Sequence, residues 1–166
     1  MVDEGQRGGY IETSARAMIH RVMELRDEDV AEVMTPRTDM ICLRADASLE
    51  DARRQLLEAG HTRVPVVGET TDDIVGILYA KDLLGHLQVD TASAPGGLRE
   101  IVREPFYVPE TTGIDTLLET LKREQVHLAV VLDEYGGVAG LVTLEDTVSY
   151  THLRAHETAS YLVCRL

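Results

Sequence analysis

Tryptophan is absent from the 166 residues, and phenylalanine occurs once, as Phe106. Proteins that hold single-stranded nucleic acid stack its bases on aromatic rings, and such platforms are scarce here. Basic residues are also scarce. There are 16 Lys+Arg against 29 Asp+Glu, and the formal net charge is -13. Clustered Lys and Arg are what grip a phosphate backbone or an anionic lipid surface, so no nucleic-acid partner and no membrane docking are expected. No run of about 18 apolar residues occurs, so no direct membrane insertion is expected. The first residues, Met1-Val2-Asp3-Glu4-Gly5, lack the basic and apolar regions of a secretory signal. Two cysteines, Cys42 and Cys164, are too few for a disulfide framework and have no metal-ligand spacing. These absences describe a soluble, cytoplasmic, acidic protein. Apolar residues nevertheless make up 44% of the chain, enough to bury a core in one ordinary domain or two very small ones.

The apolar pattern is organised. Ala15, Met18, Val22 and Leu25 recur at steps of three and four, which predicts an amphipathic helix over Ile11 to Arg26. Pro36 forces the chain out of helical geometry before it. The apolar run Met40 to Leu43 then reads as a strand. Ser48 and Asp51 have the spacing of a helix cap, Leu49, Ala52 and Leu56 form a buried stripe, and Gly60 is a natural stop. Val64 to Val67 and Ile74 to Tyr79 read as short buried strands, and Ala80 to Leu87 as a closing helix. Residues 91–97, Thr-Ala-Ser-Ala-Pro-Gly-Gly, have the composition of a linker.

Beyond that linker the pattern returns. Phe106 to Val108 is a strand, and Thr112 and Asp115 repeat the cap spacing. Ile114, Leu117, Leu118 and Leu121 form a helical stripe. Leu128 to Leu132 and Val138 to Thr143 are strands joined by the turn Asp133-Glu134-Tyr135-Gly136-Gly137. Leu49 and Ile114 lie 65 positions apart, His61 and His127 66, Gly76 and Gly140 64, and Asp82 and Asp146 64. One β-α-β-β-α unit therefore occurs twice. A repeat of this length packs as pseudo-symmetric halves, because each half alone leaves a strand face open.

These repeats, each ending in apolar-Gly-apolar-apolar-x-x-x-Asp, resemble a tandem pair of CBS domains, a Bateman module. The motifs Val33 to Asp39, Gly60 to Val66, Gly76 to Leu84 and above all Asp133 to Asp146 resemble the CorC/HlyC family, associated with magnesium and cobalt efflux. The resemblance implies an α+β fold: two pseudo-symmetric β-α-β-β-α CBS repeats packed through their sheets, preceded by an N-terminal helix. The expected divisions are a connector helix over 1–29, repeat one over 30–90, the linker 91–97, repeat two over 98–147, and a tail over 148–166. Full-length relatives carry a membrane transport domain, and CBS pairs associate as homodimers.

The resemblance also implies an adenine nucleotide, ATP or AMP, between the repeats, with Mg2+ arriving on its phosphates. Thr143 and Asp146 fit the family's Thr-x-x-Asp, with Asp146 accepting from the ribose. The same pair also serves as an ordinary helix cap. In repeat one Asp82 takes the equivalent place, but Tyr79 stands where Thr or Ser is expected, and its bulk counts against that half-site. Arg37 and Arg63 are the candidate phosphate contacts; Arg63 equally suits a solvated surface. Met40, Phe106 and Pro65 lie on strands expected beside the base, where plain core packing is an equal reading.

His61 and His127 occupy matching places and read as structural residues, not metal ligands. The Asp133–Gly137 turn reads as a hairpin, not a cation site. No nucleophile, phosphate loop or catalytic set emerges, so the chain is expected not to be an enzyme. Residues 148–166 resemble translated adapter or vector sequence, with a divergent native helix as the competing reading. Three roles follow from the resemblance: a nucleotide-sensing regulator of ion efflux, a module that only dimerises, or a regulatory insert of a metabolic enzyme.

Overall fold

The computed structural model describes residues 14–19, 28–88 and 97–151. Among these residues seven strands form two sheets. β2 (Leu43–Arg44), β3 (Arg63–Val67) and β4 (Ile74–Tyr79) make one, in the order β2-β3-β4. β1 (Thr35–Pro36), β5 (Phe106–Pro109), β6 (Leu128–Leu132) and β7 (Val138–Thr143) make the other, in the order β1-β7-β6-β5. The strands β3, β4, β6 and β7 are short apolar runs rich in Val, Ile and Leu with half or more of their residues buried, as strands covered on both faces require. β2 runs parallel to β3 across the Leu49–Ala59 helix, and β5 parallel to β6 across the Ile114–Arg123 helix. The hairpins β3–β4 and β6–β7 carry register shifts at matching places, Val66/Val67 and Val131/Leu132. The two-repeat α+β architecture is therefore as expected.

Capping of the helix between the first two strands follows the sequence in the first repeat and not in the second. Ser48 Oγ accepts from the Asp51 amide at 3.1 Å, and Gly60 closes the helix at φ 67°. In the second repeat Gly113, not Thr112, is the cap, and it makes no side-chain cap bond. Thr112 is held instead through its backbone, its carbonyl accepting from Val30 N at 2.8 Å. The strand expected over Met40 to Leu43 is also shorter. Met40 N closes a 3-10 turn onto the Arg37 carbonyl, and pairing begins only at Leu43, opposite Val66. Residues 14–19 are helical and exposed, including Ala15 and Met18 of the expected apolar face. Val22 and Leu25 of that face, and residues 91–96 of the linker, lie outside the described residues.

The segment that leads into each repeat packs on the other one. Residues 28–36 precede repeat one, yet Val30 is fully buried with Val108, Leu117, Leu121, Ala129, Val131 and Val142 of repeat two. Ile114 N donates to the Glu28 carbonyl, and β1 pairs with β7 through Thr35 with Leu141 and Pro36 with Gly140. In return, Leu98 and Ile101 are buried in the core of repeat one, and Arg103 exchanges both backbone bonds with Ile77 at 2.9 Å. A third cluster, Ile77, Leu128, Val130, Val138 and Leu141, joins the two sheets. Each such side chain contributes about 1.5–3 kcal/mol on burial.

Past Thr143 the chain continues as a helix over residues 144–151. Thr147 is fully buried, and Tyr150 donates to Glu28 at 2.7 Å. Helical structure thus runs beyond Thr147, where the sequence resemblance was expected to end. Residues 152–166 lie outside the described residues.

The crossings explain two glycines. A Cβ on Gly140 would overlap the Thr35 carbonyl oxygen and lie 3.0 Å from the Met34 sulfur. A Cβ on Gly76 would lie 2.6 Å from Val102 Cγ2 and 2.7 Å from the Arg103 carbonyl. Gly140→Ala and Gly76→Ala are therefore expected to destabilise by about 1–3 kcal/mol, as overpacked cores do. Gly85 has open space at its Cβ within the Ala80–Gln88 helix. Gly85→Ala should stabilise by about 0.5–1 kcal/mol. Urea denaturation followed by circular dichroism reads all three, and unchanged midpoints for the first two would refute the close approach.

Candidate functional site

The same ends of the two hairpins converge. Arg63 opens β3 opposite Tyr79, which ends β4; Leu128 opens β6 opposite Thr143, which ends β7. A helix begins immediately after each. Ala80 N bonds to the Thr62 carbonyl and Leu144 N to the His127 carbonyl, both at 2.9 Å. The two ends meet where Arg63 Nη1 approaches Glu145 Oε1 at 3.3 Å, with His127 Nδ1 3.7 Å from the same oxygen.

In repeat two Thr143 Oγ1 donates to Asp146 Oδ2 at 2.5 Å and accepts from the Asp146 amide at 3.1 Å. That is a complete helix cap. It leaves Asp146 exposed, with Oδ1 accepting no hydrogen bond among the described residues. An exposed carboxylate with one oxygen engaged in the cap and the other open at a helix start is chemically fit to accept from the hydroxyls of a sugar. The cap and the binding role are compatible.

Repeat one is arranged differently. Both oxygens of Asp82 are engaged by Arg103, Nε at 2.7 Å and Nη2 at 3.0 Å. Three cations surround the Tyr79 ring: Arg103 at 4.3 Å from its centroid, Arg63 at 5.4 Å and Lys81 at 5.8 Å. The Arg103 hydrogen bonds hold the Asp82 carboxyl below the usual carboxylate range, against partial desolvation. Arg103 was not anticipated from the sequence. It lies outside both repeat motifs, and no local signal marks it, because its partner is 21 positions away.

The other expected residues separate. Arg37 does not join the converging ends. Its guanidinium pairs with both oxygens of Asp72, at 2.6 and 2.9 Å, and Asp72 also accepts from Val138 N at 2.9 Å. Val138 opens β7 and Thr143 ends it, so Arg37 sits about 17 Å along the strand from Thr143. That carboxylate binds Arg37 tightly because the turn over residues 68–73 brings it against the start of β7, a tertiary contact between repeats. Met40 packs on the shared cluster and Phe106 on the core of repeat two. Pro65 is buried in β3 beside Ile77, where β2 does not reach, so no ladder donor is missing. No group of three or more metal-ligating side chains occurs among the described residues.

A profile described as the CBS domain matches residues 30–89 and 98–152. The chain belongs to the CBS domain family. This tandem CBS pair is 38% identical over 144 residues to the magnesium and cobalt efflux protein CorC of Escherichia coli, covering 87% of this chain and 48% of that protein. It is 39% identical over 153 residues to a UPF0053 protein of Mycobacterium tuberculosis, covering 89% of this chain and 34% of the relative. The chain thus spans between a third and a half of the curated relatives it matches. Among solved structures it is similar to the CBS domain of a bacterial CNNM/CorC family Mg2+ transporter in complex with ATP. That similarity has a TM-score of 0.72 and 42% identity, covering 81% of this chain and 94% of that one. It is also similar to a CBS-domain pair with bound AMP from Klebsiella pneumoniae, with a TM-score of 0.64 and 27% identity, covering 74% and 97%.

Asp72 and Asp82 are held below their usual range by hydrogen bonds from arginine, as are the exposed Asp46 and Glu50. A lowered folded-state value stabilises the fold above the unfolded value, and that stability is lost as pH falls through the folded one. Stability is therefore expected to drop below about pH 4. The paired variant Asp72→Asn with Asp82→Asn should lose less between pH 5 and pH 3 than the natural chain. Denaturant midpoints across that range check this, and an identical acid loss in both proteins would exclude these two groups as its source.

Proposed function

We propose that this CBS pair is a regulatory, non-catalytic module that binds an adenine nucleotide at the Thr143–Asp146 end of repeat two. Asp146 Oδ1 accepts from the ribose hydroxyls, and Thr143 keeps the carboxylate in place. Arg63 is the nearby cation for the phosphates, held now against Glu145. Mg2+ arrives on the phosphates, because the described residues offer no carboxylate cage and the ion favours retained water. The observation that carries the reading is the open Asp146 oxygen at a capped strand end, in a chain 42% identical to an ATP-bound CBS domain. In the longer protein the module acts from the cytoplasmic side on a magnesium and cobalt transport domain. Nucleotide favours one arrangement of the repeats and so biases the segment leading into them. That segment is tied to repeat two by Ile114 with Glu28 and by Tyr150 with Glu28.

Titration calorimetry with ATP and AMP, with and without Mg2+, tests the proposal. Asp146→Ala is expected to weaken binding at least about tenfold, the scale of one hydrogen bond to a charged group. No heat from any adenine nucleotide at millimolar concentration would overturn it.

A homodimer accompanies this reading and would be the module's sole role if no nucleotide bound. Leu57 and Leu84 are 70% and 55% exposed, one on each of the two packed helices of repeat one. Exposed leucines on adjoining helices favour contact with a second copy. Leu57→Asp with Leu84→Asp should shift the sedimentation coefficient toward that of one chain, and an unchanged value would place the contact elsewhere.

A further inference from the structure

The repeats supply an internal comparison. Asp82 and Asp146 are equivalent, as are Tyr79 and Thr143, and Ile77 and Leu141, each 64 positions apart. The backbone that crosses Ile77 is Arg103, and the backbone that crosses Leu141 is Thr35. Arg103 and Thr35 therefore occupy equivalent places in the two halves. Their side chains differ in reach and charge. Thr35 is short and neutral, and Asp146 keeps an open oxygen. Arg103 is long and cationic, and it occupies both oxygens of Asp82.

We propose that Arg103 is a built-in occupant of the first half-site, so that the chain takes one nucleotide, at Asp146, and excludes a second at Asp82. The guanidinium fork supplies to Asp82 the two donors that ribose hydroxyls would supply. Its guanidinium carbon lies over the Tyr79 ring, 4.3 Å from the centroid, within cation–π range. Tyr79 is thus the platform for the occupant, not merely an obstruction. The side chain is poised by its own backbone, because both ladder bonds to Ile77 fix where it starts. A tethered group also competes at a fixed, high local concentration, whereas free nucleotide must exceed it. Exposed ion pairs are weak alone, but here bidentate geometry and the ring contact act together in a pair whose Asp82 side chain is only 25% exposed.

The inference rests on the nucleotide reading, and stoichiometry separates the two. Titration calorimetry with Mg-ATP should give one site per chain in the natural protein. Arg103→Met, which keeps the apolar stem on Tyr79, should give two. Adding Asp82→Ala to Arg103→Met should return the count to one. Arg103→Gln is the second variant if Arg103→Met does not fold, with folding checked by circular dichroism. One site in every folded Arg103 variant, or two sites in the natural protein, would overturn the proposal. If the natural chain bound none, the Asp146 reading would fail. Asp82-dependent binding in the Arg103 variants would then still support the occupant, and its absence would overturn that too.

Discussion

Everything else in the molecule depends on a backbone crossing made twice. The chain entering each repeat lies directly on a glycine of the other, Thr35 on Gly140 and Val102–Arg103 on Gly76. Without those crossings each sheet would end at an open edge of β4 or β7, and Val30, Leu98 and Ile101 would have no core to enter. Neither repeat is then a separable unit, since each is completed by residues that precede its partner. The shared cluster of Ile77, Leu128, Val130, Val138 and Leu141 completes what the crossings begin, burying the sheet faces that a half of this size leaves open.

Polar contacts between the repeats sit at the two ends of this apolar layer. At the turn end, Asp72 gathers Arg37 and the Val138 amide. At the helix-start end, Arg63 meets Glu145. In a chain of net charge -13, the few arginines are thus spent on internal carboxylates. A polyphosphate entering the helix-start end meets a negative field and must draw Arg63 from Glu145 or bring its own cation. The Mg2+ proposed to arrive on the phosphates would offset that field.

Pseudo-symmetry makes the two halves comparable, and their differences are where function resides. The same strand-to-helix junction presents a capped, open Asp146 in one repeat and a closed Asp82 in the other. The change from threonine to tyrosine at the strand end, and from threonine to arginine at the crossing segment, act as a pair. Either one alone would leave the junction incomplete: an arginine with no ring to lie on, or a ring without its nearest cation.

The sequence by itself determined the repeat, the strands and the helices, because hydrophobic spacing and β-branched runs act locally. Ile74 to Tyr79 and Leu128 to Leu132 form strands over their expected spans, and Ser48 caps its helix as its spacing requires. The Thr143–Asp146 pair was legible for the same reason, being three residues apart. Local reading failed elsewhere: the helix after Thr112 takes Gly113 as its cap, with Ile114 N donating to the Glu28 carbonyl, and the Met40 to Leu43 strand shortened to its paired end. Only the tertiary structure decided that Arg37 belongs to Asp72, Arg63 to Glu145, and Arg103 to Asp82. A long cationic side chain reaches several carboxylates with little to choose between them in sequence. Which one it pairs with is set by backbone crossings that unite segments tens of residues apart.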